Sequence, residues 1–331
     1  MRHRLIATVG LAGTSLASAV LADALDRRRV AADPEWELLQ TTPEGRQMTI
    51  TGAGGTKINA KVYGPEDAPA IVLVHGWTCS LRFWRRQVQD LMSDHRVIAY
   101  DVRGHGDSEA SSDGDWSLDT LADDLEAVFD ACVRDESPVV LAGHSLGAMT
   151  IAAWGGRHPD AVERRARAVA MINTGLGDLI IESLLVRTPD ALGSARQLVG
   201  GAILGAGAPL PNRPSPISHR AVRAIALSRS ASPAAVRFSE EMILSCRGSV
   251  RAGCGRELSR MNLLDRVEHL TVPTLVIAGE RDKLTPPSHS HRLAEALPNS
   301  NGVLELEDSG HMSPLEKPSE VSAALRDLAA N

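Results

Sequence analysis

The stretch VVLAGHSLGAMT, residues 139–150, decides how the rest of the chain is read. Val139 to Ala142 predict a short buried strand, and Ala148 to Trp154 predict a helix. Between them Gly143, Ser145 and Gly147 fit G-x-S-x-G. At ordinary glycine and serine usage, about 0.1 such matches arise by chance in a chain of this length. A plain strand-to-helix turn accounts for the glycines, because the backbone reverses there and side chains would clash. A serine held on the same turn would stand exposed as a nucleophile. Partners elsewhere in the chain must separate the two readings.

Outward from this stretch the chain alternates strands and helices. Met48–Thr51 and Lys57–Tyr63 predict a hairpin. Strands follow at Ile71–Val74, Val97–Tyr100, Val139–Ala142 and Ala168–Ile172, with helices at Arg82–Met92 and Leu118–Val133 between them. The rhythm resumes with strand Thr274–Ala278, helix His289–Ala296, strand Val303–Leu306 and helix Ser319–Ala330. Such alternation implies an α/β fold with a mostly parallel central sheet flanked by helices. The core is therefore expected in two parts, 31–175 and 263–331. Residues 176–262 interrupt it with helical runs and Gly- and Pro-rich turns, and are expected to form a helical cap over the active-site edge. That stretch carries eleven arginines against six acids. Solvated helix faces explain them; attraction to an anionic substrate or a lipid surface is the sharper alternative.

Composition bounds the rest. Of 331 residues, 43% are apolar and 23% charged, and the net charge is −6, which suits a globular protein and offers nothing to nucleic acid. Aromatics are only 3%, so the core is expected to be aliphatic. Cys79, Cys132, Cys246 and Cys254 form no C-x-x-C. Four reduced thiols are expected, with a Cys246–Cys254 bridge as the alternative in an exported protein. Residues 1–30 form a leader: basic MRHR, eighteen uncharged residues, then Arg27-Arg28-Arg29. An export signal, a weak membrane anchor and a small-residue helix lying on the protein all fit it. The first two place the protein at or across a membrane, the third in the cytoplasm.

A serine hydroxyl needs a base, and the base needs an orienting acid. Ligand chemistry in parallel sheets gathers at the carboxyl ends of strands. Asp282 follows the strand ending at Ala278, with Glu280 and Asp308 as competing acids. His311 lies in the loop after the last strand and completes the order Ser145, Asp282, His311. His75, His105 and His144 sit inside motifs, in structural positions.

With these residues named, the chain resembles the α/β-hydrolase family over about residues 47–330. The resemblance rests on VLVHGW, YDVRGHGDS, GHSLGA, AGERDKLTPP and DSGHM, in the family's order and spacing. It is nearest the esterase, lipase and non-haem perhydrolase branch. It implies Ser145 as nucleophile, His311 as base and Asp282 as acid, with backbone N–H groups of Trp77 and Leu146 as oxyanion donors. Asp101, Arg103, Gly104 and Gly106 are expected to shape a loop. The implied reaction is hydrolysis of a small ester or lactone through an acyl-enzyme, with no cofactor and no metal. Epoxide hydrolases and haloalkane dehalogenases of the family carry an aspartate nucleophile, which serine at 145 excludes. A cofactor-free perhydrolase of haloperoxidase type shares the triad, and a non-catalytic ligand-binding member is the remaining alternative. The cap's only aromatic is Phe238, so an aliphatic pocket for acyl chains or lactones is expected.

Overall fold

Parallel strands carry apolar residues on both faces, so both faces of such a sheet must be covered. In the computed structural model, which describes residues 21–112, 114–133, 137–177, 179, 207, 210–211 and 213–330, that requirement is met. Helical residues 21–31 (α1) and Pro34–Gln40 (α2) precede the sheet. Asp33 caps α2 through Glu35 N, and Pro34 opens it with a preset φ. Strands β1 (Arg46–Thr51) and β2 (Lys57–Tyr63) form the expected antiparallel hairpin. Next come β3 (Ala70–Val74), α3 (Arg85–Leu91), β4 (Arg96–Tyr100), α4 (Leu118–Cys132), β5 (Val139–His144) and α5 (Leu146–Arg157). Helix α6 (Pro159–Arg165) and β6 (Ala166–Ile172) follow. Pro159 at the first helical position starts the short α6, which the strand and helix pattern of the sequence does not reveal.

After β6 the described residues of 176–262 contain helices α7 (Pro216–Ala226), α8 (Pro233–Ser245) and α9 (Gly248–Leu258), and no strand. The chain then returns through β7 (Thr274–Gly279), α10 (Pro287–Ala296), β8 (Ser300–Leu306), α11 (Ser313–Glu316) and α12 (Pro318–Ala330).

Among the described residues the sheet has eight strands in the order β1-β2-β4-β3-β5-β6-β7-β8. β2 is antiparallel to both its neighbours, and the pairs from β4 across to β8 are parallel. Its faces separate by strand periodicity. Val72, Val74, Ile98, Leu141, Val169 and Met171 pack under α4 and α5. Ile71, Leu73, Val97, Ala99, Val140 and Ala142 pack under α3 and α12. Both clusters are chiefly aliphatic, as the composition predicts.

Chain order reverses at β3, with β4 on one side and β5 on the other, so a crevice opens at the carboxyl ends of β3 and β5. The loops His75–Ser80 and His144–Leu146 leave the sheet there. All four cysteines are free and buried, so the Cys246–Cys254 bridge does not form.

Of the expected leader, 1–20 lie outside the described residues. Residues 21–30, expected as part of the leader, already take part in the fold. Val30 is buried, and Asp26 lies 3.8 Å from Arg220 of α7. Among the described residues no helix is long and apolar enough to cross a membrane. Of the expected cap, 178, 180–206, 208–209 and 212 likewise lie outside the described residues.

Candidate active site

The turn after β5 is sterically demanding. A Cβ at Gly143 would stand 2.5 Å from Ala148 N, and one at Gly147 would stand 2.1 Å from Val74 O. Both glycines of the motif are therefore required for α5 to approach β3 and β5 so closely. Ser145 itself is held at φ 52° and ψ −116°. A side-chain-bearing residue in that region costs on the order of 1–3 kcal/mol, and such strain persists only where surrounding structure enforces it. Here Ser145 N donates to Ile172 O at 2.9 Å and Ser145 O accepts from Thr174 Oγ1 at 3.2 Å. The Oγ has no hydrogen-bond partner among the described residues, and the side chain is only partly buried.

Asp282 and His311 meet as expected: His311 Nδ1 and Asp282 Oδ2 are 2.8 Å apart. The strand runs to Gly279 and Asp282 follows in a tight turn, so its Oδ1 accepts Leu284 N at 2.8 Å and Thr285 N at 2.9 Å. Its Oδ2 also accepts Thr285 Oγ1 at 2.8 Å and Asn173 Nδ2 at 3.1 Å. Burial pushes the Asp282 carboxyl up. The facing His311 and the Thr285 donors outweigh it and hold the group below its ordinary value, so a buried carboxylate stays ionised. The competing acids are elsewhere engaged: Glu280 accepts Asp308 N at 3.1 Å, and both lie near Arg281 at the surface.

His144 joins the two halves. Its Nε2 donates to His311 O at 2.7 Å, and the two rings stand 5.0 Å apart. This brings His311 to the residue preceding Ser145.

The loop after β3 completes the arrangement. Its Trp77 N–H donates to no acceptor among the described residues. Leu146 N–H opens α5, where no helical carbonyl precedes it. The loop is fixed from behind. His75 Nδ1 donates to Gly76 O at 2.8 Å and its Nε2 accepts Val102 N at 3.0 Å. His105 Nε2 accepts Thr78 N at 3.2 Å, and Thr78 sits at φ 62°. Buried Asp101 accepts Leu81 N at 2.7 Å, Asn59 Nδ2 at 2.8 Å and Asp107 N at 3.0 Å. A Cβ at Gly106 would stand 2.3 Å from that carboxylate. Arg103 pairs with Asp124 below, both buried. Asp101, Arg103 and Gly106 thus build loops. Burial lowers His75 to about 4 and His105 and His144 to about 3, so all three imidazoles are neutral.

Sequence reasoning missed Asn173 and Thr285. Asn173 follows β6 directly at φ 47°, a left-handed conformation that asparagine tolerates, and its Nδ2 donates to Asp282 Oδ2 and Gly310 O, both at 3.1 Å. Its place at the end of a central strand was the available signal. Thr285 was legible as the third residue of an Asx-type turn after Asp282.

The inserted helices reach this edge of the sheet. Arg247 donates to Gly104 O at 2.9 Å and Ser108 O at 3.0 Å. Arg213, Arg220, Arg229, Arg247, Arg256 and Arg260 are exposed, as solvated helix faces require, whereas Arg237 and Arg251 are buried. Phe238 is also fully buried, with Arg82 and Arg85 at 5.2 and 5.5 Å from its ring, and packs in the core. Among the described residues no cluster of metal-ligating side chains occurs.

A sheet of this order, with a strained serine turn leaving β5 at the switch point, defines the class of α/β-hydrolases. A family model described as alpha/beta hydrolase fold matches residues 69–318, and the chain belongs to that family and is a hydrolase of that fold. It is 26% identical over 284 residues to 3-oxoadipate enol-lactonase 2 of Acinetobacter baylyi, covering 84% of this chain and 94% of that protein. It is 39% identical to a non-heme chloroperoxidase of Streptomyces lividans over 107 residues, 32% of this chain and 38% of the other. An esterase of Exiguobacterium antarcticum superposes with a TM-score of 0.71 at 18% identity, covering 86% of this chain and all of that one.

Proposed function

We propose that the protein hydrolyses carboxylic esters or lactones through an acyl-enzyme on Ser145. The observation that carries this is the strained backbone of Ser145, whose Oγ has no hydrogen-bond partner among the described residues, together with the His311–Asp282 pair that His144 ties to the residue before it. Ser145 Oγ attacks the carbonyl carbon and His311 Nε2 takes its proton. Asp282 fixes the Nδ1–H tautomer and stabilises the imidazolium. The oxyanion accepts from the N–H groups of Trp77 and Leu146. Collapse expels the alcohol, which takes the proton from His311. Water, deprotonated by His311, then attacks the acyl-enzyme, and a second collapse frees the carboxylic acid and Ser145. The described helices of the expected cap, α7 to α9, cover this edge, with Arg247 bonded to Gly104 O and Ser108 O. The likeness to an enol-lactonase along most of its length supports a small ester or lactone as substrate. Likeness to a chloroperoxidase supports a second reading in which hydrogen peroxide replaces water at deacylation and a peroxyacid leaves.

The test is hydrolysis of short and medium p-nitrophenyl esters by the full chain beside Ser145→Ala and Asp282→Asn. Ser145→Ala lowers kcat about 10⁴–10⁶-fold and Asp282→Asn roughly 10⁴-fold, with folding retained. Wild-type turnover by Ser145→Ala would overturn the proposal. Peroxide-dependent formation of peroxyacid would assign the second reading.

A further inference from the structure

One side chain holds both the loop that carries His311 and the segment of the cap that rests on it. Glu316 Oε1, at the end of α11, accepts Gly310 N at 3.0 Å and Met312 N at 3.2 Å, the amides flanking His311. Its Oε2 accepts Ser228 N at 2.8 Å, just past the end of α7. The amide of His311 itself donates to Ala226 O of α7 at 2.9 Å. All three successive amides around the base are thus bound, two by Glu316 and one by the cap.

The neighbouring contacts run the same way. Ser230 Oγ donates to Asp308 O at 3.0 Å, and Lys283 Nζ donates to Ala224 O at 2.6 Å. A Cβ at Gly310 would stand 2.6 Å from Ser228 N, so the two loops interlock without space for a side chain. Segment 224–230 therefore rests on the loops of both His311 and Asp282.

We propose that Glu316 is a positioning residue that couples the cap to the base: one carboxylate oxygen orients the His311 loop while the other docks the cap on it. The proposal rests on the assignment of His311 as base. Its two oxygens divide the work, so chemistry at Glu316 separates the two roles. Glutamine keeps Oε1 for Gly310 and Met312 but turns an NH₂ group toward Ser228 N–H, donor against donor. The reverse rotamer would set donors against two amides and is the worse choice. Alanine removes both grips.

The experiment compares full-length wild type, Glu316→Gln and Glu316→Ala. Turnover is read on p-nitrophenyl esters, and amide hydrogen exchange is read at Ser228, Gly310 and Met312. Glu316→Ala should lower kcat about 10–100-fold, as a displaced catalytic group does, with faster exchange at all three amides. Glu316→Gln should restore kcat to within about three-fold of wild type and raise KM. Its exchange should accelerate at Ser228 alone. Wild-type kcat in Glu316→Ala, or equal loss of kcat in both variants, overturns the proposal. If Glu316→Ala does not fold, the exchange pattern of Glu316→Gln decides: protection retained at Ser228, or lost at Gly310 and Met312, overturns it. Exchange needs no turnover. A chain that cleaves no ester therefore refutes the ester assignment while the grip on the His311 loop is judged by exchange alone.

Discussion

Acid should unfold this protein through the histidines around its active site, and His105 offers a clean measure of the effect. His75, His105 and His144 are fully buried. His75 and His105 each donate from Nδ1 to a carbonyl and accept a backbone N–H at Nε2, so a second proton would face a donor. His144 donates from Nε2, and its buried Nδ1 has no hydrogen-bond partner among the described residues. Their folded values of about 4, 3 and 3 lie below the ordinary 6.5. Between those limits the unfolded chain binds protons that the native state refuses, so stability falls as pH falls from about 6.5 toward the folded values. From pH 7 to pH 5 each histidine removes about 2 kcal/mol, and the three together about 6 kcal/mol. Buried carboxyls with raised values, Asp101 and Asp124 among them, act in the opposite sense. The quantity to read is therefore a difference between proteins. His105→Gln keeps an acceptor for Thr78 N–H and a donor for Arg103 O but does not titrate. Urea unfolding followed by tryptophan fluorescence at pH 7, 6 and 5 should show wild type losing about 2 kcal/mol more than His105→Gln. Parallel pH dependences for the two proteins would refute the reasoning. Because His105 anchors Thr78 beside Trp77, activity should fail with the fold as pH drops.

Other perturbations test separate parts of the structure. Asn173→Ala removes a donor from Asp282 Oδ2 and from Gly310 O, and should lower kcat roughly 5–100-fold with little change in KM; unchanged kcat would deny Asn173 a role in orienting the acid. Ser145→Gly relieves the strained φ and should unfold about 1 kcal/mol higher than Ser145→Ala in urea. Arg103→Met leaves Asp124 buried without its partner and should cost about 3–5 kcal/mol. The double variant Arg103→Met/Asp124→Leu should recover most of that loss in thermal unfolding, since no charge is then stranded.

Legibility followed the range of the interactions. β3, β4 and β5 were readable to within two residues because each is an apolar run bounded by turns, and strand burial needs only local pattern. The short helix Pro159–Arg165 was not, since its polar outer face imitates a turn. Residues 21–30 read as leader because composition does not reveal that Asp26 meets Arg220 across the fold. The burial of Phe238 was hidden for the same reason: a sequence places it in the insertion but does not show that Arg82 and Arg85 stand over its ring.

By itself the sequence determined the sheet, the order of Ser145, Asp282 and His311, and the loops that carry them, because glycine spacing and strand ends are local signals. Tertiary structure alone decided what holds those residues. The αL turn at Asn173 points its amide at Asp282 from 109 positions away along the chain. The hydrogen bond from His144 to His311 spans 167. The carboxylate of Glu316 reaches back 88 positions to Ser228. No periodicity encodes such pairs. They exist because the parallel crossovers bring every strand's carboxyl end to one edge, where buried polar groups must find partners or pay the cost of desolvation.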